Sequence, residues 1–279
     1  MNIQIANRSN AFIKIGLSGP SGSGKTYSAL QLAYGLTGSY SNVIVLDTEN
    51  GSANLYAHLG DYSIISICQP YTPEKYIQAI DKIIEANRFS VLIIDSLSHA
   101  WEETVSTHAK LTGNTFRNWG YVKSKYNALL NKILQTDLHV ITTFRTKSDY
   151  IIVSDDNGKN TPKKVGLKSI TSEGSDYEFT ILFDIDINHI ASCTKDRTEL
   201  FKNQEPGIID PSFGVRILEW CQRTTLSDVK RGLQSIESLS DLRTYYKDHK
   251  PFYLLLKKAF EARKTQLSNS KHSLNGTIK

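Results

Sequence analysis

Short apolar runs alternate with segments of mixed polar and apolar residues over the first 145 positions of the chain. The apolar runs predict buried strands at 12–18, 42–47, 62–68, 90–95 and 138–144. The segments between them predict helices at 25–37, 73–87, 98–110 and 115–136. Strands that are apolar throughout and separated by helices are typical of a mainly parallel sheet with helices on its faces. This part of the chain therefore predicts an α/β fold.

The pattern changes after position 145, where extended segments follow one another without a helix between them. Residues 150–167 predict two strands around Asn157-Gly158, a dipeptide that is typical of hairpin turns. Residues 176–195 predict a second pair of strands with a turn near Asn188. We expect these antiparallel strands to be added at one edge of the sheet, and a helical region to follow from about residue 213.

We divide the chain into an N-terminal arm (1–11), a core (12–220) and a small helical C-terminal region (221–279). The net charge of the chain is +5, and the C-terminal region alone carries 12 Lys and Arg residues against 5 Asp and Glu residues. Such a balance suits a polyanionic partner, of which nucleic acid is the commonest. A solvated helical surface would have the same composition, so charge alone leaves both interpretations open.

Composition limits the class of protein further. With 39% hydrophobic and 22% charged residues, the chain has no apolar run near the roughly 20 residues of a membrane helix, so no membrane partner is expected. The first ten residues lack the apolar segment of a secretory signal. Cys68, Cys193 and Cys221 lie far apart without paired spacing, which predicts free thiols and a cytoplasmic location.

A glycine-rich octapeptide, GPSGSGKT at 19–26, follows the first predicted strand and opens the first predicted helix. It matches the phosphate-binding pattern G-x-x-x-x-G-K-[ST] at every position. The glycines let backbone N–H groups turn toward phosphates, and the helix N-terminus adds its positive dipole end. Lys25 is predicted to bind the β- and γ-phosphates of ATP and Thr26 to bind Mg²⁺. The residues assigned to the nucleotide are Gly19, Pro20, Ser21, Gly22, Ser23, Gly24, Lys25, Thr26 and Tyr27.

Two carboxylates are candidates for the chemistry of hydrolysis. An apolar run ends at Asp95, where a buried strand would hold a carboxylate for the Mg²⁺ water shell. Many P-loop motors place a glutamate directly after this aspartate, but here the next residue is Ser96. The strand that ends at Asp47 is followed by Glu49, at the edge of the sheet where ligands gather. Glu49 is therefore the predicted catalytic base, with a glutamate on a surface loop as the alternative.

These segments together resemble the RecA-like ATPase core, which carries its catalytic glutamate at the end of the strand after the P-loop helix. The likeness covers about residues 12–202. With DSLSHAW at 95–101, PKKVGL at 162–167 and KDRTELF at 195–201, it is similar more specifically to bacteriophage RecA-like AAA-type ATPases associated with single-strand DNA annealing and recombination. The resemblance implies a DNA-dependent ATPase with ATP and Mg²⁺ as cofactors.

The resemblance also implies an active site that is completed between subunits. RecA-like assemblies use a strand-borne pair of cations, often Lys-x-Arg, to neutralise charge on the ATP of the adjacent subunit. Lys195 and Arg197 match this pattern, and residues two apart on a strand point the same way. An exposed strand with alternating charges is the alternative. Head-to-tail contacts of this kind generate homo-oligomeric rings or filaments.

Two further assignments rest on the resemblance. RecA has a polar amide that senses the γ-phosphate, and this chain has Thr143 at the matching place. The shorter threonine side chain implies that ATP is coupled to DNA more weakly or by a different route. The family binds DNA through loops after the strand that ends near residue 144. The cations assigned to single-stranded DNA are Arg145, Lys147, Lys163, Lys164 and Lys168. We expect these cations to bind DNA independently of its sequence. The alternative is a solvated hairpin that binds no DNA. A single-strand-binding protein is a candidate partner.

Three other functions would use the same P-loop. A RecA-like helicase or loader motor would share the same core, but the chain shows no obvious extra domain for unwinding. A small-molecule P-loop kinase would need an acceptor pocket and an arginine-bearing lid, neither of which the sequence indicates. A nucleotide-switched binding module without significant turnover would need only the P-loop.

Overall fold

The computed structural model describes residue 8 and residues 11–154, 160–175, 178–222 and 224–275, with side chains described outside 148–167 and 270–275. The chain forms two compact units. The larger comprises Phe12–Leu30 and Ser41–Ile209, and the smaller is built from Gln31–Tyr40 and the segment that begins at Asp210. Apart from Arg8 and Ala11, the predicted N-terminal arm lies outside the described residues.

The larger unit is built on a mixed sheet. Its strands are β1 (Lys14–Gly19), β2 (Val43–Asp47), β3 (Ser63–Ser66), β4 (Val91–Asp95), β5 (His139–Ser154), β6 (Asn160–Ser169), β7 (Ile181–Ile185) and β8 (Ala191–Asp196). Their order is β3-β2-β4-β5-β1-β7-β8, and all neighbours from β3 to β7 run parallel. β8 is antiparallel to β7, and β6 pairs antiparallel with β5. The predicted α/β fold, with a mainly parallel sheet, is confirmed.

The strands form where the apolar runs lie. Every residue of β1, β2 and β4 is buried, as expected for parallel strands that are covered on both faces. The antiparallel pairs differ in position. β8 lies at an edge of the sheet, whereas β6 pairs with the part of β5 that extends past its parallel neighbours. The second half of β5 therefore leaves the sheet as one arm of a hairpin.

The segments of mixed polar and apolar residues form helices. They are α1 (Lys25–Thr37), α2 (Pro73–Glu85), α3 (Ser98–Lys110), α4 (Thr115–Gln135), α5 (Pro211–Gln222), α6 (Leu226–Gln234), α7 (Leu239–Asp248) and α8 (Lys250–Asn275), with 3-10 helices at Tyr40–Asn42 and Ser52–Leu59. α2, α3 and α4 pack against one another, and their fully buried Tyr76, Ile80 and Tyr126 join the apolar core beside β2 and β4. None of the helices in the described ranges has the length and hydropathy needed to cross a membrane.

The smaller unit is helical. α6 begins with a capping box, in which Thr225 accepts a hydrogen bond from the N–H of Asp228 and the Asp228 carboxylate accepts from the N–H of Thr225. Ser238 caps α7, because its side chain accepts a hydrogen bond from the backbone N–H of Asp241. α7 ends at His249, and Pro251 lies inside the first turn of α8. α6 and α7 both pack against α8.

Candidate nucleotide-binding site

The carboxyl ends of β1, β2, β4 and β5 bring the predicted catalytic segments together. Asp47 at the end of β2 lies opposite Asp95 at the end of β4, and Gly19 at the end of β1 lies opposite Arg145 on β5. Parallel strands end at the same edge of a sheet, which is where α/β proteins bind their ligands. The P-loop, the metal-binding candidate and the loop that carries Glu49 therefore share one site.

The P-loop adopts a conformation that depends on its glycines. Gly22 and Gly24 have φ angles of 81° and 86°, in the left-handed region that favours glycine. A Cβ atom at Gly19 would lie 2.5 Å from the carbonyl oxygen of Ile185. The loop leads directly into α1 at Lys25, so the helix N-terminus adjoins it, as an anion-binding loop requires.

The Lys25 ammonium is held by the loop that it is predicted to serve. Its Nζ donates to the carbonyl oxygens of Gly19 at 3.0 Å and Pro20 at 2.8 Å. Burial lowers the pKa of Lys25, Asp95 and Glu49 raise it, and Arg145 lowers it further. A triphosphate would supply the negative charge that this partly desolvated cation lacks, and its oxygens would be stronger acceptors for the ammonium than the two neutral carbonyls.

Asp95 lies at the centre of a hydroxyl network. Its Oδ2 accepts from Thr26 Oγ1 at 2.6 Å, and its Oδ1 accepts from Thr143 Oγ1 at 2.5 Å. Burial raises the pKa of Asp95, the two hydroxyls oppose this effect, and the Glu49 and Asp47 carboxylates add to it. A buried carboxylate beside a threonine hydroxyl fits Mg²⁺, which takes oxygen ligands and is bound through one or two protein groups together with phosphates. Thr26 and Asp95 are the residues that would hold it.

Asp95→Asn is expected to stabilise the nucleotide-free protein while removing the metal ligand. Because burial raises the pKa of Asp95, the folded chain binds its proton more tightly than the unfolded chain. The contribution of this carboxyl to the free energy of unfolding therefore falls as the pH rises from the ordinary carboxyl range toward the raised pKa.

We expect the melting temperature of Asp95→Asn to exceed that of the wild type at neutral pH, because the variant carries no charge in this buried position. The difference should vanish as the pH falls into the ordinary carboxyl range. Differential scanning fluorimetry across this pH range measures both effects. A lower melting temperature for the variant at neutral pH would contradict the assignment of Asp95 as a destabilised buried carboxylate.

Glu49 is positioned by a tight turn after β2. The Asp47 carboxylate accepts from the backbone N–H of Glu49 at 2.6 Å and from that of Ala53 at 3.4 Å. The Glu49 carboxylate itself accepts from Ser96 Oγ at 3.1 Å. It also pairs with Arg145, whose Nε lies 3.0 Å from Oε1 and whose Nη2 lies 3.0 Å from Oε2. The glutamate therefore has defined partners and is not a loose surface side chain.

Thr48, Ser96 and His99 form a polar network next to Glu49. Thr48 Oγ1 accepts from the backbone N–H of Ser96 at 2.9 Å and lies 2.8 Å from His99 Nδ1. His99 Nε2 in turn lies 3.8 Å from Glu49 Oε1, and the ring of Tyr71 stacks on the imidazole at 4.7 Å. These contacts fix the relation between the end of β2 and the end of β4. His99 therefore lies beside the Glu49 carboxylate, at a distance longer than a hydrogen bond.

A cavity of about 600 Å³ opens in front of the P-loop, within the range of small-molecule sites. Among the residues assigned to the nucleotide, those that line it are Ser21, Gly22, Gly24, Lys25, Thr26 and Tyr27. Glu49, Asp95 and Arg145 line it as well. Tyr27 and Tyr56 lie with ring centroids 5.8 Å apart on its wall. Cations, carboxylates and aromatic rings therefore surround one space.

The remaining P-loop residues and Thr143 lie deeper. Gly19 and Pro20 present their carbonyl oxygens to Lys25, and Ser23 is fully buried with a hydroxyl that has no partner among the described residues. Thr143 is also fully buried, and its hydroxyl contacts Asp95. Any response of Thr143 to the γ-phosphate would therefore pass through Asp95, which leaves its role as a sensor a prediction.

The cations assigned to DNA fall into three groups. Arg145 lies in the candidate nucleotide site, against Glu49. Lys147 and Lys168 are exposed and lie opposite each other in the β5–β6 pairing, and Lys168 Nζ is 3.7 Å from Glu173 Oε1. Lys163 and Lys164 belong to β6, but their side chains lie outside the described residues. Contact with DNA remains a prediction for all five.

Lys195 and Arg197 lie at the edge of the sheet. Lys195 belongs to β8 and is partly buried, whereas Arg197 follows the last residue of the strand and is exposed. Asp196 between them accepts hydrogen bonds from the backbone N–H groups of Thr198 and Phe201 and so orders the next loop. Neither cation lines the P-loop cavity of its own chain. This position leaves open the predicted supply to an adjacent subunit.

The sequence patterns did not indicate the part that three residues play in the site. These are Arg145, which was predicted to bind DNA, and Thr48 and His99, which were given no role. The signal for Arg145 was weak, since its partner Glu49 is 96 positions away. The LDTE segment already placed Thr48 between two site carboxylates, where a hydroxyl is more useful than an apolar side chain.

The family assignment agrees with this geometry. A protein-family model described as an AAA domain matches residues 11–206, which is most of the chain. The chain therefore belongs to the AAA domain family, whose members are P-loop ATPases. This membership indicates nucleotide binding and ATPase activity, usually with Mg²⁺. A search of curated proteins found no match.

Proposed function

We propose that the chain is an Mg²⁺-dependent ATPase that binds single-stranded DNA and completes its active sites between subunits. The observation that carries the ATPase assignment is the convergence of Lys25, Thr26, Asp95 and Glu49 on one cavity. A P-loop alone would suit a kinase or a passive switch, but a carboxylate in reach of the same space suits attack by water. Annealing or recombination of DNA strands is the process that we assign to it.

Binding of ATP would use groups that are already oriented. The backbone N–H groups of the P-loop and the N-terminus of α1 would hold the phosphates, and Lys25 would exchange its two carbonyl partners for phosphate oxygens. Thr26 and Asp95 would hold Mg²⁺, which when bound neutralises charge on the phosphates. Tyr27 and Tyr56 offer aromatic surface for the base.

Hydrolysis would then depend on Glu49 and a water molecule. The carboxylate accepts a hydrogen bond from water and takes its proton while the water oxygen bonds to the γ-phosphorus. The bond between this phosphorus and the oxygen bridging to the β-phosphate breaks, which gives ADP and inorganic phosphate. Ser96 and the Thr48–His99 network keep Glu49 in position for this step.

DNA binding is supported by the surface at the base of the β5–β6 hairpin. The residues that line a cavity there include Trp101, Trp119, Lys123, Lys147 and Lys168, together with Glu173, which pairs with Lys168. Lysines suit the phosphates of a nucleic acid, and partly exposed tryptophan rings suit stacking with unpaired bases. The resemblance to annealing ATPases, together with the basic C-terminal region, supports the same partner.

The proposed function predicts that single-stranded DNA raises the rate of ATP hydrolysis. We expect kcat with saturating oligo-dT to exceed kcat without DNA at least several-fold, and duplex DNA of equal length to have a smaller effect. A coupled ATPase assay measures both rates, with Lys25→Ala as the inactive control. An ATPase rate that no form of DNA changes would contradict the DNA part of the proposal. Strand displacement in the same reactions would favour the motor instead.

A further inference from the structure

A groove of about 320 Å³ lies between α7 and α8 in the smaller unit. On α7 it is lined by Leu239, Leu242 and Tyr246, which are three and four positions apart and so share one face of the helix. On α8 it is lined by Tyr253 and Phe260, which are two helical turns apart. The two helices therefore turn apolar side chains toward a common space, which we call the α7–α8 groove.

The aromatic rings give the α7–α8 groove the shape of a pocket. Tyr246 and Tyr253 meet with ring centroids 4.9 Å apart and planes at 90°, and Tyr253 meets Phe260 at 5.4 Å and 70°. In such edge-to-face contacts the rings cover part of one another's faces. Leu242 and Phe260 are 7% and 4% exposed and form the floor, whereas both tyrosines are half-buried and form the walls. A large apolar side chain fits a concave space of this kind.

Two cations lie at the rim of the groove. Arg243 and Lys264 line it and are exposed, and neither forms an ion pair with any residue in the described ranges. The acidic residue of the lining, Glu261, lies 4.0 Å from Lys257 and so has a cation of its own. The C-terminal region as a whole carries 12 Lys and Arg residues against 5 Asp and Glu residues. The groove therefore combines an apolar interior with a positively charged rim.

A ligand that complements this groove carries both an apolar group and negative charge. Single-stranded DNA has the charge, but its bases bind by stacking on open ring faces, which the edge-to-face packing of the tyrosines does not offer. An acidic peptide with an aromatic or large aliphatic residue has both features. Its apolar side chain would enter the pocket, and its carboxylates would pair with the forked guanidinium of Arg243 and with the ammonium of Lys264.

We propose that the α7–α8 groove is a docking site for an acidic segment of a partner protein, anchored by one aromatic or large aliphatic side chain. Aromatic side chains and arginines are the residues that contribute most to protein–protein affinity, and both are present here. The proposal goes beyond the ATPase function, because the residues that line the groove are different from those that line the P-loop cavity. The partner would be held without use of the nucleotide site.

Fluorescence anisotropy of a labelled peptide measures this docking on the full chain. The probe is a short peptide of aspartate and glycine with one central phenylalanine. One reference peptide has alanine in place of the phenylalanine, and the other has asparagine in place of every aspartate. We expect the probe to bind saturably and each reference peptide to bind at least about tenfold more weakly, because each lacks one of the two required features. These changes leave the fold of the chain untouched.

A pair of double variants locates the site on the chain. The groove variant, Arg243→Glu/Lys264→Glu, reverses two exposed charges at the rim and should bind the probe at least about tenfold more weakly, with ATP affinity unchanged. Lys230→Glu/Lys258→Glu is the matched control. It makes the same change of net charge at two exposed lysines of the smaller unit that do not line the groove, and it should retain most of the affinity. Circular dichroism checks the helix content of both.

Three results would overturn the proposal. The first is an absence of saturable binding up to about millimolar probe, and the second is an equal loss of affinity in the two double variants. The third is a different occupant. If the probe does not bind and the groove variant alone loses affinity for labelled oligo-dT, the groove binds nucleic acid, and if it alone changes the oligomeric state in light scattering, a second copy of the chain fills the groove. These readouts do not depend on ATP hydrolysis.

Discussion

Arg197→Ala is expected to reduce kcat for ATP hydrolysis by about 10³-fold or more, the range found when a P-loop enzyme loses its arginine finger. Arg197 follows the edge strand β8, is exposed, and does not line the P-loop cavity of its own chain. If it acts, it acts on the ATP of an adjacent subunit, where it would neutralise charge on the γ-phosphate. ATP binding by the P-loop should persist.

Steady-state kinetics and equilibrium binding of a fluorescent ATP analogue together separate these two effects. Lys202→Ala is a matched control, because Lys202 is an exposed cation in the loop shortly after Arg197. Its kcat should equal that of the wild type. A loss in Arg197→Ala of less than about tenfold would count against a role as an arginine finger.

Glu49→Gln is expected to lower kcat by about 10²- to 10⁴-fold with ATP affinity nearly unchanged. Glutamine has the same shape, and its Oε1 can still accept hydrogen bonds from Ser96 Oγ and Arg145 Nε, whereas the contact with Arg145 Nη2 is lost. The turn after β2 should be preserved, because the Asp47 carboxylate still accepts from the backbone N–H of residue 49. What it cannot do is accept the proton of the attacking water. The loss should therefore appear in single-turnover hydrolysis and not in the binding step.

Glu85→Gln is a suitable control for this variant, because Glu85 is an exposed glutamate at the end of α2. Equal melting temperatures of the Glu49→Gln and wild-type proteins would show that the fold is intact. If Glu49→Gln hydrolysed ATP at the wild-type rate, the base would have to be another group.

The strands and helices of the core were predictable because each carries its own local signal. The β4 run VLIID is apolar without interruption, and the helix at 73–85 begins at a proline that fits a first turn. The P-loop was predictable for the same reason, since its glycines, lysine and threonine all lie within one octapeptide. For these features, the sequence neighbours of a residue are also its physical neighbours.

Other features depend on pairings that local patterns do not encode. The strands β7 and β8 were predicted as an antiparallel pair, but only the register shows that β7 lies beside β1 and runs parallel to it. In the sequence, Arg145 is one more cation in a basic stretch. It contacts Glu49 only because β2 and β5 end at the same edge of the sheet. The electrostatics of this site depend on interactions between the carboxyl ends of different strands. The spacing of residues along the sequence does not predict these interactions.

The proposed mechanism requires an active site that two copies of the chain build together. The direct measurement is the ATPase activity of Lys25→Ala mixed with Arg197→Ala, each nearly inactive alone. If subunits mix at random, about one quarter of the interfaces would combine an intact P-loop with an intact Arg197, and activity should recover to about that fraction of the wild type. The control replaces Lys25→Ala with the double variant Lys25→Ala/Arg197→Ala, which should restore nothing. Mixed assemblies that form yet hydrolyse no ATP would contradict the supply of Arg197 from one subunit to the next.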